Sequence, residues 1–258
     1  MIFLNNLCFQ PRRPYQNNLR ELFKLHLNFY RPNQGCRLYH SWFNIFNNWL
    51  LLFTSRGYLF MHHLFVTQVY QASLKMNLKD LKQEVFQIQK ADIKGQEWSE
   101  LNYVNGYTSY GSWDQLNQLS SSFKELEKKI DTHVLKYAKS LDYNINKKSL
   151  KMNSIWVNIM PAGALHTAHI HPLSVISGTY YVEAPTGASS IKFEDPRLGF
   201  FMNTPSVKLK PRKINSRFYS IQPKSGDLVL FESWLKHEVP LNKSKKPRVS
   251  ISFNYGWA

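Results

Sequence analysis

Three histidines and one arginine are the residues of this chain whose types and spacing could do chemistry. His169 and His171 lie one residue apart in the run HTAHIHPLSVISGTYY, which extends from His166 to Tyr181. Residues i and i+2 of a strand share one face, so both imidazoles are expected to project into one space. His237 follows 66 residues after His171, and Arg248 stands 11 residues beyond His237. Imidazole nitrogens bind transition metals, and the planar arginine fork holds a carboxylate through two parallel hydrogen bonds. The set could therefore hold a metal ion with an acidic ligand beside it. A lone strand histidine more often belongs to ordinary packing, but Arg248 and Ser250 share a later strand face, which favours a site. His166, three residues before His169, is expected on the opposite face of a regular strand, and Tyr180 likewise opposes Tyr181.

The elements that must position these residues are strands. After Lys151 the apolar period is two, and strands are expected at Ile155–Met160, Thr167–His171, Val175–Glu183, Ser190–Glu194, Phe218–Gln222, Asp227–Glu232 and Arg248–Tyr255. Turn-forming runs separate them, among them Pro161-Ala-Gly163 and Pro223-Lys-Ser-Gly226. Upstream, His63–Ala72 reads as a strand and residues 76–91 as a helix. Lys94–Trp113 reads as an irregular polar loop. Asp114–Leu141 reads as one long helix, because Leu116, Leu119, Phe123, Leu126, Ile130, Val134, Tyr137 and Leu141 form a continuous stripe. That stripe is a packing face and carries no chemistry. The fold class is mostly β with supporting helices (α+β), a sandwich or jelly-roll barrel with the long helix packed on the sheet. A parallel α/β sheet would need helices between the strands, and none fit.

Composition narrows the classes further. With 258 residues, 43% of them apolar, the chain can bury a sizeable core. A formal net charge of +16 suggests nucleic acid as a partner, but no nucleic-acid motif or continuous basic helix accompanies it, so nucleic acid is not the expected partner. The basic run KLKPRKINSR, Lys208 to Arg217, reads as a solvated loop. The two cysteines, Cys8 and Cys36, lie in no zinc spacing and fit a reducing, cytoplasmic setting. No apolar run reaches the roughly 18 residues that a transmembrane helix needs. Residues 1–60 read differently from the rest, with seven Lys/Arg against the single acid Glu21 and nine Asn. They could be a membrane-surface anchor, an accessory subdomain or, the favoured reading, a stretch foreign to the natural protein. Residues 61–258 read as the domain proper, 61–150 as helical support and 151–258 as the β core.

Residues 61–258 also resemble the 2-oxoglutarate/Fe(II)-dependent oxygenase superfamily, and within it a group of uncharacterised oxygenases with an HxHP…SGxYYV signature. The matching pieces are HIHP (His169 to Pro172), SGTYYV (Ser177 to Val182), FEDPR (Phe193 to Arg197), PKSGDLVLF (Pro223 to Phe231), WLKH (Trp234 to His237) and PRVSISFN (Pro247 to Asn254). The resemblance implies a double-stranded β-helix, Fe(II) and 2-oxoglutarate as cofactor and co-substrate, and ascorbate as a further candidate cofactor. It implies His169 and His237 as metal ligands, with His171 standing where the family has a carboxylate. It implies Arg248 on the far carboxylate of 2-oxoglutarate, aided by Ser250 and Tyr181. Asn158 and Asn254 are further pocket candidates, since polar side chains in apolar strands want partners. Asp195 and Glu183 are the spare carboxylates that could replace His171 as a ligand. The expected reaction is hydroxylation of a small molecule or a protein side chain, coupled to decarboxylation of 2-oxoglutarate to succinate. Two readings stay open beside it: a three-histidine cupin-type dioxygenase without 2-oxoglutarate, and a non-catalytic ligand-binding barrel.

Overall fold

The computed structural model describes residues 61–197 and 202–258. The chain divides into two compact units, Met1–Leu64 and Phe65–Ala258, and the described strands and helices all belong to the second. Expectations for residues 1–60, including both cysteines, lie outside the described residues. Among the described residues no helix is long and apolar enough to cross a membrane.

The elements in chain order are β1 (Val69–Ser73), α1 (Leu78–Ala91), α2 (Ile93–Asn102), β2 (Tyr107–Thr108), α3 (Leu116–Leu119), α4 (Ser121–Ser140), β3 (Leu150–Met160), β4 (His166–His169), β5 (Ile176–Glu183), β6 (Ile191–Glu194), β7 (Phe218–Ile221), β8 (Asp227–Glu232), β9 (His237–Val239) and β10 (Arg248–Trp257). They build two sheets, one ordered β1-β8-β5-β10-β3-β2 and the other β4-β9-β6-β7. Neighbouring strands pair antiparallel throughout, as connections without crossover helices require. The mostly-β class read from the pattern therefore holds. The large sheet reaches beyond 151–258, because β1 and β2 come from the preceding segment.

Period-two alternation gives the large sheet two unlike faces. Ile155, Val157 and Ile159 of β3, Tyr180 and Val182 of β5, Leu228 and Leu230 of β8, and Ile251 and Phe253 of β10 are buried against the helices. They pack with Leu81 and Val85 of α1 and with Phe123, Leu126, Ile130 and Val134 of α4. The intervening residues of the same strands, Trp156, Asn158, Thr179, Arg248, Ser250 and Ser252, turn to the other side and line a cavity.

Three expectations need correction. The long helix is broken at Ser120, whose extended backbone (φ −140, ψ 138) ends α3 and whose side chain accepts from the Ser122 and Phe123 amides to cap α4. Leu116 of α3 and Phe123 of α4 still pack on the same core, so the periodicity runs on, but Leu119 beside the break is exposed and leaves the expected stripe. Residues 94–113 are not a plain loop, since α2 and β2 fall within them. The apolar residues of α2, Ile93, Trp98 and Leu101, are exposed, so the helix has no stripe to read. Buried Asp92 starts it, accepting from the Gly95 amide at 2.9 Å, from the Tyr107 hydroxyl at 2.8 Å and from the Ser112 hydroxyl. The strand expected over His63–Ala72 shrinks to β1, and the three-residue β9 was not expected at all.

Gly178 shows how tightly the helix-facing layer is set. It lies opposite Phe253 in register, and a Cβ built there would stand 2.5 Å from the Phe253 ring and 2.7 Å from Leu230. The aromatic ring fills the space that the glycine leaves. Gly178→Ala is expected to destabilise the fold by about 1–3 kcal/mol through overpacking, read as a lower urea midpoint at unchanged slope.

Candidate metal centre

The site begins with an irregularity in β4. His166 pairs with Val239 and His169 with His237, so three steps along β4 match two along β9. One extra residue in a strand is a β-bulge, which re-aims the side chains after it. The regular-strand expectation for His166 is thereby corrected: its ring stacks on that of His169 at 4.1 Å and 30°. His171 lies just beyond the strand, held there by its amide donating to the Ser233 carbonyl at 2.9 Å.

The rings of His169, His171 and His237 cluster, with centroids 5.1, 4.3 and 5.1 Å apart for the pairs 169–171, 169–237 and 171–237. One nitrogen from each lies within 4.8 Å of the others. The second nitrogens are accounted for. Nδ1 of His169 meets the Thr167 carbonyl at 2.7 Å, that of His237 the Leu235 carbonyl at 2.9 Å, and that of His171 Oδ1 of Asn254 at 2.5 Å. All three partners are acceptors, so each Nδ1 carries the proton and each Nε2 keeps a free lone pair. Fixing the tautomer through the outer nitrogen is how proteins prepare imidazole for a metal. The three rings can hold one metal ion.

Electrostatics agrees with neutral rings. Burial, then the charge of neighbouring His169, pushes His237 down to about 2. Burial pushes His171 down to about 4 against the opposing effect of its Asn254 bond. Burial also lowers His169, against its bond to the Thr167 carbonyl. The spare carboxylates are engaged elsewhere: Asp195 pairs with Arg197 and Glu183 with Lys82. Among the described residues no carboxylate joins the histidine cluster.

Arg248 lines the same cavity, only 3% exposed. Its Nη1 donates to Ser250 Oγ at 3.1 Å and lies 3.3 Å from the Met160 sulfur, and its Cζ sits 4.8 Å over the Tyr181 ring. Nε of Arg248 and the hydroxyls of Tyr181 and Thr179 are buried with no hydrogen-bond partner among the described residues. A buried guanidinium without a carboxylate is costly, and this one faces a cavity that an anion could enter.

Asn158 lines the cavity and donates to Ser252 Oγ at 3.0 Å. Asn254 does not line it; it stands behind His171, and its Oδ1 also accepts from Ser177 Oγ at 2.7 Å. Ser177 in turn meets Ser233 Oγ at 2.8 Å. Sequence reasoning missed Ser177, Ser233, Thr179 and Trp156. The facing of Trp156, Ser177 and Thr179 followed from strand parity, whereas Ser233 lies just past β8; serines and threonines are too common in strands to stand out. None of Lys208–Arg217 lines the cavity.

Comparison with known proteins places the fold first. The chain is similar to the non-heme alpha ketoglutarate dependent epimerase SnoN from nogalamycin biosynthesis, at TM-score 0.51 and 12% identity over 74% of this chain and 76% of that one. It is similar to a Pseudomonas putida prolyl-4-hydroxylase at TM-score 0.50 and 12% identity, over 74% of this chain and 92% of that one. A structure of SnoN with Fe3+, alpha ketoglutarate and nogalamycin RO matches at TM-score 0.50 and 12% identity, over 74% and 79%. The chain shares the fold of these enzymes. The family model described as "Putative 2OG-Fe(II) oxygenase" matches residues 154–254, which include all three histidines and Arg248. No curated protein matches the sequence.

The depressed histidines set a pH dependence. In the unfolded chain they bind protons below an ordinary value of about 6.5, whereas the folded cluster resists protonation down to about 4 at His171 and about 2 at His237. The unfolded state therefore binds more protons in acid, and stability falls as pH drops below about 6.5 towards 4. Urea midpoints of the metal-free protein are expected to be level above pH 7 and to decline through that window. A shallower decline in His237→Gln, with His169 and His171 still contributing, would assign the decline to this cluster.

Proposed function

We propose that this chain is a 2-oxoglutarate- and Fe(II)-dependent oxygenase, with residues 61–258 as its catalytic domain and the two sheets as walls of a double-stranded β-helix barrel. The observation that carries the reading is a buried Arg248 with no carboxylate partner among the described residues, in the same cavity as three converging imidazoles. A three-histidine site without 2-oxoglutarate would have no use for that guanidinium.

His169, His171 and His237 would hold iron through Nε2. Fe(II), when bound with 2-oxoglutarate and dioxygen, supplies the oxidative decarboxylation and the substrate C–H oxidation. The chain supplies position and enclosure. Arg248 binds the far carboxylate of 2-oxoglutarate through its fork, with Ser250 holding the guanidinium and Tyr181 beneath it. The Tyr181 hydroxyl is available to the same carboxylate. Asn254 keeps the His171 proton on Nδ1, and Ser177 keeps Asn254 oriented. Three neutral ligands leave the centre one unit more positive than two histidines and a carboxylate would, which strengthens its hold on an anionic co-substrate.

Anaerobic calorimetry with Mn(II)-loaded protein tests the assignment. 2-Oxoglutarate is expected to bind, and Arg248→Ala to weaken it by at least about 30-fold, the loss typical of a buried charge partner. Equal affinity in the variant would sink the assigned pocket. Succinate formed with Fe(II) and oxygen should depend on the same residue. Asn254→Ala is expected to lower metal affinity about 10- to 100-fold at unchanged far-ultraviolet ellipticity, measured by Co(II) titration.

A further inference from the structure

We infer that His166 is a fourth functional histidine, which binds the co-substrate and not the metal, an inference that rests on the oxygenase reading above. The bulge in β4 brings its ring to the side of His169, and the ring lines the cavity. It stands outside the group of three whose nitrogens could share one ion. Its other flank is the edge of Tyr103, ring centroids 5.0 Å apart. Tyr103 clusters with Met160, whose sulfur touches Arg248. His166 thus occupies the wall between the metal end of the cavity and the guanidinium end. Its strand partner Val239 lies two residues past His237, about 6–7 Å along the strand.

Neither ring nitrogen of His166 has a hydrogen-bond partner among the described residues, whereas each of the three clustered histidines has one. A half-buried imidazole with idle ring nitrogens has hydrogen-bonding capacity to offer a ligand, and this one borders the route of a five-carbon diacid spanning iron and arginine. An imidazole carries at least one N–H in either protonation state, so the ring has a proton to give. The ring donates that N–H to an oxygen of the bound 2-oxo acid. Stacking on His169 and the edge of Tyr103 hold the ring's plane.

The experiment compares wild type with His166→Phe, which keeps the ring and loses its N–H, and His166→Asn, which keeps a donor. Metal content after Co(II) loading and 2-oxoglutarate affinity of the anaerobic Mn(II) form are measured for each. The expected result is full metal content in both, affinity about 10-fold or more weaker in His166→Phe, and partial recovery in His166→Asn. Unchanged affinity in His166→Phe would make the residue packing only, and loss of metal would make it a ligand; either overturns the inference. If wild type itself binds no 2-oxoglutarate, the oxygenase reading falls and this one with it. If Arg248→Ala weakens binding and His166→Phe does not, only the role of His166 falls.

Discussion

The structure depends on the antiparallel register that ties β10 to β3 on one side and β5 on the other. Strand side chains alternate, so between its register shifts at Val249/Ser250 and Asn254/Tyr255 this pairing sorts the residues of three strands into two classes. A slip of one residue would push Arg248, Ser250 and Asn254 into the helix-packed layer and send Ile251 and Phe253 into the cavity. Both outcomes bury charge without partners or leave apolar surface wet, which is why the register is strongly specified. Apolar packing against α1 and α4 thereby also aims the site residues, although those helices carry none of them.

The smaller sheet adds what the large one lacks. Its β4 and β9 supply His169 and His237, and the bulge places His166 on their side. The backbone does much of the orienting here. The carbonyls of Thr167 and Leu235, each two residues before the histidine they meet, fix two tautomers locally. The third is fixed from a distance, through Asn254 on the other sheet. His171 is thus the ligand candidate whose geometry couples the two sheets.

Charge is distributed with a consistent sense. The histidines are neutral through burial, the guanidinium has no carboxylate partner among the described residues, and Asp195 and Glu183 are engaged by Arg197 and Lys82. A metal dication and a dianionic co-substrate would offset each other and leave the Arg248 guanidinium as one net positive charge in the cavity. The basic run Lys208–Arg217 has no part in this balance. It holds only a short helical turn at Lys213–Asn215, with the Lys213 ammonium 5.2 Å over the Tyr219 ring.

The sequence by itself determined the strands that have strong alternation, with Asp227–Glu232 read at its true limits, β5 and β10 within two residues, and only the Ile155–Met160 part of β3. It also determined which side chains share a strand face, pairing His169 with His171 and Arg248 with Ser250, while the resemblance to a known superfamily drew Tyr181 into the same set. Local rules suffice for that, because parity and turn chemistry act over a few residues. Only the tertiary structure decided the break at Ser120, the helix α2 with its exposed apolar residues, and the three-residue β9, because a cap or a short strand is settled by what packs on it. It alone decided the bulge that turns His166 inward and the Asn254–His171 bond across 83 residues. A bulge is a compromise between two strands, and a long-range hydrogen bond exists only when folding brings its donor and acceptor together.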